Sequence, residues 1–272
     1  MRRGSRYFRL LLAAPVLVFL LVMALFSGVL APADPLKIDA RHILQSPSRQ
    51  HLLGTDQLGR DLLSRVVYGA RVSLSVAAAA VTMATLIGVL LGLLAGYTGG
   101  WVENVVMRTI DTFLSMPEIF VAIVIMAFFT SGLPTLVFTI GLLYFPQFAR
   151  VVYAVTRSMK RKEFVEASIA LGATAPRVLF GQILPNIASI IVVQITFTIS
   201  FAMLLEAGLS FLGLGVMPPR PSWGQMVGDL KDFIQINPLP VIFPSVALFL
   251  AVFAINTLGD WLQDWLNPEV ER

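Results

Sequence analysis

The sequence predicts an all-α integral membrane protein of about six transmembrane helices, and three observations carry that expectation. Hydrophobic residues make up 57% of the 272 and charged residues only 13%. The mean hydropathy is +0.80, outside the range of ordinary soluble domains. Apolar runs close to the roughly 20 residues needed to cross a hydrocarbon core of about 30 Å recur along the chain, with arginines and lysines between them. One compact membrane domain is the economical organisation. The absence of cysteine excludes disulfides, thiolate catalysis and cysteine metal sites. The net charge of +4 comes from residues at the ends of apolar runs, which orient a membrane protein; no patch for nucleic acid is present.

The first run, Leu10 to Ala31, follows Arg2, Arg3, Arg6 and Arg9. It exceeds the roughly 7 to 15 apolar residues of a secretory signal, so it reads as a retained anchor despite the cleavage-like Val29-Leu30-Ala31. Residues 1–31 are thus a cytoplasmic N-terminus with the first span, and residues 32–72 an extracytoplasmic segment. Residues 73–272 form a five-helix core, with spans at Ser73 to Tyr97, Phe113 to Thr130, Leu133 to Val155, Ile187 to Phe211 and Pro240 to Leu262. Both termini then face the cytoplasm. Under this topology twelve of the 20 basic residues lie inside, Arg272 and those of the loop after the fourth span among them. The outer segment weakens the bias through Lys37, Arg41, Arg49, Arg60, Arg65 and Arg71, partly offset by Asp34, Asp39, Asp56 and Asp61, so an inverted topology stays open.

In the second span Ala80, Ala84, Gly88, Gly92 and Gly96 repeat every four residues, a small-residue ridge that another helix can approach closely. Packing within the chain's own bundle is the expected use of it. The ionisable residues in or near the spans are Asp111, Glu118, Arg150 and Glu206. Asp111 and Glu118 flank Pro117 at an expected interface, and Arg150 can snorkel to the headgroups. Glu206, among Leu204, Leu205, Ala207 and Gly208, is either a polar contact between helices or part of a solute path, and Asp111 shares that alternative.

No phosphate-binding loop is present, because none of Lys37, Lys160, Lys162 and Lys231 follows a glycine, and no G-x-S-x-G elbow occurs. His42 and His51 lack the spacing of a metal pair. The chain therefore reads as neither an ATPase nor another enzyme, and it needs no cofactor of its own.

Between the fourth and fifth spans the loop at residues 156–186 is polar and rich in small residues, preceded or interrupted by Arg157, Lys160, Arg161, Lys162 and Arg177. A short helix through Glu166-Ala167-Ser168 is expected to stop at Gly172 in the left-handed conformation. Thr174 can then cap a second short helix with Pro176 in its first turn. Pro185 marks a bend into the fifth span. The product is a helix-turn-helix knob, apolar and small at Ala167, Ala170, Ala173 and Ala175, shaped to sit in a groove of another protein.

This loop resembles the "EAA" motif of ABC importer permeases, E-A-A, three residues, G, nine residues, I-x-L-P. Glu166, Ala167, Gly172, Leu184 and Pro185 match it; Ser168 stands for its third-position alanine and Gln182 for its isoleucine. The segments His51 to Arg65, Tyr68 to Leu74 and Leu209 to Gly215, with Pro218, Pro219, Pro221, Ser222, Trp223 and Gly224, resemble dipeptide, oligopeptide and nickel importer permeases, specifically the shorter of their two permease types. The likeness runs from about Leu52 to Pro268.

The resemblance implies a type I importer permease in a bacterial inner membrane. Its partners would be a second homologous permease in a heterodimer, two cytoplasmic ATPases that bind ATP and Mg, an extracytoplasmic solute-binding protein, and membrane lipid. The chain would form half of a path for di- or oligopeptides, with Glu166, Ala167, Ser168, Gly172, Leu184 and Pro185 coupling it to the ATPases. Nickel or a metal chelate is the alternative solute, and the lack of a histidine in any expected span leans toward peptides. A stand-alone channel or a membrane enzyme would work without these partners.

Overall fold

A computed structural model describes residues 2–130 and 132–266, without the side chains of residues 2–10 and Leu12. Ser131, Pro268 and Arg272 and the side chains of Arg2, Arg3, Arg6 and Arg9 lie outside the described residues. Apart from the irregular segment 31–61 and short connections, the described residues are helical: α1 (Arg2–Leu25), α2 (Ser27–Leu30), α3 (Leu62–Thr98), α4 (Gly100–Leu114), α5 (Glu118–Phe128), α6 (Leu133–Met159), α7 (Glu163–Ala170), α8 (Ala175–Val178), α9 (Leu184–Phe211), α10 (Trp223–Leu230) and α11 (Leu239–Leu266). Among the described residues the nearest approach to a strand is an isolated bridge between Thr55 and Asp61.

Four helical runs among the described residues are long and apolar enough to cross a membrane: α3, α6, the run Ala175–Phe211 that contains α9, and α11. The pair α4 and α5, bent by 93°, makes a fifth if it counts as one span. The first apolar run divides at Phe26 into α1 and α2, and the described apolar part of α1 is the shorter Ala13–Leu25.

Three expectations about helix boundaries change. A continuous third span over Phe113 to Thr130 does not form, because α4 ends at Leu114 and the chain turns at Ser115-Met116-Pro117. Pro117 has no N–H to donate and sits at ψ 124°, an extended conformation that stops α4 and restarts the chain as α5. At 11 residues, α5 is about 16 Å long and cannot span alone. The second span begins at Leu62, well before Ser73, because Asp61 caps it by accepting the Ser64 N–H at 2.8 Å. At 37 residues α3 is about 55 Å long and must project beyond a 30 Å core. Pro185 does not bend the chain into the fifth span. A single π-helical turn, Leu179–Ile183, sends the Leu184 N–H back to the Leu179 carbonyl, and Pro185 follows in the first turn of α9, where it breaks no bond.

The centre of the molecule is the seam between α3 and α6. The expected small-residue ridge is used here, within the chain. A Cβ on Gly88 would lie 2.5 Å from the Phe145 carbonyl oxygen, one on Gly92 2.6 Å from that of Ala149, and one on Gly96 2.8 Å from the Thr156 Cβ. Without side chains on this face the two backbones approach closely, and dispersion across the seam replaces the hydrophobic drive that lipid does not supply. The helices α9 and α11 complete the bundle, and α10 lies across α9 and α11. A second, smaller apolar core lies apart from the main one: Leu93 of α3, Val152 of α6, Ile187 and Ile191 of α9, and Val165 and Val178 from the short helices α7 and α8.

Candidate functional site

The α7–α8 hairpin is built as a capped, exposed knob on a buried footing. Glu163 and Glu166 occupy the first turn of α7, where carboxylates complement the helix dipole. At its end the Ala173 N–H bonds the Ser168 carbonyl at 3.1 Å and the Gly172 N–H bonds that of Ile169 at 2.9 Å, the paired bonds of a Schellman cap. Gly172 holds φ +84°, as the left-handed cap requires. Thr174 is at the N-cap of α8 with ψ 152° and Pro176 is in the first turn, but the Thr174 hydroxyl makes no capping bond, so backbone geometry alone starts that helix. Val165 and Val178 are fully buried and tie the hairpin to α3, α6 and α9.

Of the motif residues, Glu166, Ala167, Gly172 and Pro185 are exposed, while Ser168 and Leu184 are half-buried. Gln182 reaches across the hairpin and donates from Nε2 to the Ser168 Oγ at 2.7 Å. The outward face is more hydrophobic than its alanines suggested. Leu171 is 89% exposed, and Phe164, Ile169 and Phe180 are exposed beside it. Four large apolar side chains are thus exposed on this hairpin and the π turn that follows it.

The other singled-out carboxylates have clear surroundings. Glu206 is fully buried; it accepts from the Ser210 Oγ at 2.7 Å and from the Ser73 Oγ at 3.1 Å, while the Trp223 N–H donates to Ser73 at 3.2 Å. It thus joins α9, α3 and α10. Asp111 pairs with Arg150 on the half-exposed surface between α4 and α6, so Arg150 has an ionic partner as well as room to snorkel.

A model of the family described as binding-protein-dependent transport system inner membrane component matches residues 88–272, about two thirds of the chain. The chain belongs to this family. Among curated relatives, the glutathione transport system permease protein GsiD of Escherichia coli O157:H7 is 39% identical over 271 residues, covering 99% of this chain and 89% of its own. The protein of the same name from Shigella dysenteriae serotype 1 is 40% identical over the same extent. Among solved structures, an inward-facing MetNI methionine ABC transporter chain superposes with a TM-score of 0.63 at 21% identity, covering 78% of this chain and 98% of that one. The fold is that of a type I importer permease, in the dipeptide, oligopeptide and nickel branch of ABC importers. Its members carry solute and are not themselves enzymes.

Two clusters in the permease escaped sequence reading. The bent pair α4–α5 is fastened to α6 by a row of polar contacts. Glu103 accepts from Tyr153 and, at 2.5 Å, from Arg157; Asp111 pairs with Arg150; Glu118 accepts from the Tyr144 hydroxyl at 3.1 Å and from Gln147 at 3.2 Å. The available signal was the spacing of Arg150, Tyr153 and Arg157 on one face of α6. The second cluster fixes the segment before α3. Buried Asp56 takes the Leu58 and Arg60 N–H groups on Oδ1 at 2.8 and 2.9 Å, and the guanidiniums of Arg60 and Arg65 on Oδ2 at 2.6 and 3.2 Å. Every oxygen lone pair of that carboxylate is used, as a buried charge requires. Nearby, His42 Nδ1 donates to the Asp39 carboxylate at 2.8 Å, and that bond holds the Asp39 carboxyl below its ordinary range.

Proposed function

We propose that this permease forms half of a translocation path for small peptides, pairs with a second, homologous permease, and is driven through its α7–α8 hairpin by two ATPases that bind the ATP and Mg. The carrying observation is the hairpin: a rigidly capped projection with an exposed apolar face, seated on its own small core against α3, α6 and α9. A rigid knob on that footing transmits displacement to three helices at once. ATP binding shifts the permease between inward and outward openings only to the extent that the ATPases contact the hairpin differently in the two states.

In this reading Glu166, Ala167, Ser168, Gly172, Leu184 and Pro185 belong to the coupling surface. Glu206 acts as a bolt between helices. Residues 1–31 carry the cytoplasmic N-terminus and first span, residues 32–72 face the solute-binding protein, residues 73–272 form the transport core, and both termini are cytoplasmic. The name of the GsiD relatives supports a peptide solute, since glutathione is a small γ-linked peptide.

The deciding experiment isolates the solute-binding protein that co-purifies with the permease from native membranes and identifies its ligand by mass spectrometry. Short peptides are the expected result. A metal ion or metal chelate would overturn the peptide assignment, and uptake that persists without the ATPase subunits would overturn the coupled-importer mechanism.

A further inference from the structure

Arg71 lies nine residues beyond Leu62 on α3, about 13 Å along the helix axis, and its side chain is exposed. Arg220, in the connection between α9 and α10, is exposed as well, and neither makes an ion pair with a described residue. Both line one cavity of about 520 Å³, together with Tyr68, Ser75 and Asp34. The Asp34 carboxylate accepts the Leu36 N–H at 2.9 Å, so it is committed to its own loop. The cavity holds two guanidiniums against one carboxylate, a surplus of one positive charge.

A second cavity, also about 520 Å³, shares Arg71 and Ser75 with the first and, apart from Thr196, whose hydroxyl donates to the Val192 carbonyl of its own helix, is walled by hydrocarbon. Leu21 of α1, Leu74 and Ala78 of α3, Ile199 of α9 and Ile255 of α11 supply four sides of it. Arg71 therefore stands at the junction of a cationic chamber and an apolar groove. An unpaired guanidinium beside an apolar groove is costly, and its long stem carries the charge toward the level of the lipid phosphates. Guanidinium and phosphate also match in a two-bond fork. A water-soluble peptide would satisfy the first chamber and leave the groove empty, whereas a phospholipid fills both.

We propose that the adjoining cavities bind one anionic phospholipid, with its phosphate between Arg71 and Arg220 and an acyl chain in the groove along α1, α3, α9 and α11. The single negative charge of a phosphatidylglycerol balances the surplus of the chamber. A zwitterionic lipid leaves that surplus in place, so the site selects for net charge. The site is separate from the coupling hairpin, and its existence does not depend on which solute is carried.

The test uses the assembled transporter in nanodiscs of phosphatidylcholine with a minor fraction of phosphatidylglycerol, and reads retained lipid by native mass spectrometry. Wild type is expected to retain phosphatidylglycerol selectively. Arg71→Gln and Arg220→Gln should each weaken retention about fivefold, the effect of one basic residue at a membrane surface. Arg71→Lys keeps the charge but loses the fork, so its retention should fall between those of wild type and Arg71→Gln. Ala78→Phe, which fills the groove and leaves both arginines, should release the lipid, while Arg49→Gln on the same outer segment should not. Unchanged retention in both glutamine variants, or equal loss in Arg49→Gln, would overturn the site. So would lowered peptide uptake in Arg71→Gln with phosphatidylglycerol still bound, because Arg71 would then serve the solute.

Discussion

Gln182 donates from Nε2 to the hydroxyl of Ser168 at 2.7 Å, and these are the two positions at which the hairpin departs from the motif it otherwise matches. An alanine and an isoleucine would meet there as apolar neighbours; here the π-turn residue and the α7 residue meet through a hydrogen bond. The two departures are one structural change, since a glutamine amide opposite an alanine would be half-buried without this bond. Ser168→Ala should therefore cost about 1–2 kcal/mol, the penalty of an orphaned polar group, while Ser168→Ala with Gln182→Ile should recover most of it. A double-mutant cycle on thermal unfolding in detergent measures the coupling; additive effects would show that the pair is incidental.

Gly172→Asp should insert and assemble, yet uncouple ATP hydrolysis from uptake. A Cβ at Gly172 meets nothing within 4 Å, so the substitution does not clash. It strains the left-handed cap by about 1–2 kcal/mol and sets a charge beside the exposed Leu171. Proteoliposomes that show normal uptake per ATP with this variant would refute the coupling role.

Leu171→Asp tests the same surface without touching the backbone. The side chain is 89% exposed and contributes little to the fold, so thermal stability should stay within about 0.5 kcal/mol of wild type. Affinity for the ATPases should fall about tenfold or more if the leucine is an anchor of the interface. Co-purification at graded salt and detergent reads this directly.

Gly92→Leu should abolish stable folding, because its Cβ alone would press to 2.6 Å from the Ala149 carbonyl oxygen and 2.7 Å from the Val152 Cβ. Gly208→Ala, on α9 with nothing within 4 Å, should be neutral or slightly stabilising through helix propensity. Comparing expression and melting temperature of the two separates the seam from a general intolerance of larger residues.

Glu206→Gln should be mild, since an amide can still accept from Ser73 or Ser210, whereas Glu206→Leu leaves both hydroxyls buried without their acceptor. A loss of about 2–4 kcal/mol is expected for the leucine variant and under about half of that for glutamine. If the leucine variant is stable but transport-dead, Glu206 serves the solute path and not the helix junction.

Much of this architecture is legible in the chain itself. Four of the six apolar runs, those within α3, α6, α9 and α11, each fall on one continuous helix, because burial in lipid forces backbone groups to pair within their own segment. The four-residue ridge from Ala80 to Gly96 declares a close helix contact, since only small residues allow one. Gly172 and Pro176 announce the hairpin, because their backbone restrictions are local. Pro117 marks the break in the sequence, but the apolar run on either side of it disguises the 93° bend.

Partners distant in sequence were not legible. Asp111 and Arg150 are 39 residues apart and Ser73 and Glu206 are 133 apart. Sequence alone determined class, helix content, the capped hairpin and the small-residue face, all of which follow from composition, periodicity and local dihedral preference. Only the tertiary structure decided that the ridge meets α6, that Glu206 bridges three helices, and that Leu171 with Phe164 and Phe180 makes the hairpin apolar. Those outcomes depend on which surfaces pack together, and packing is set by the shapes of segments that the chain order keeps far apart.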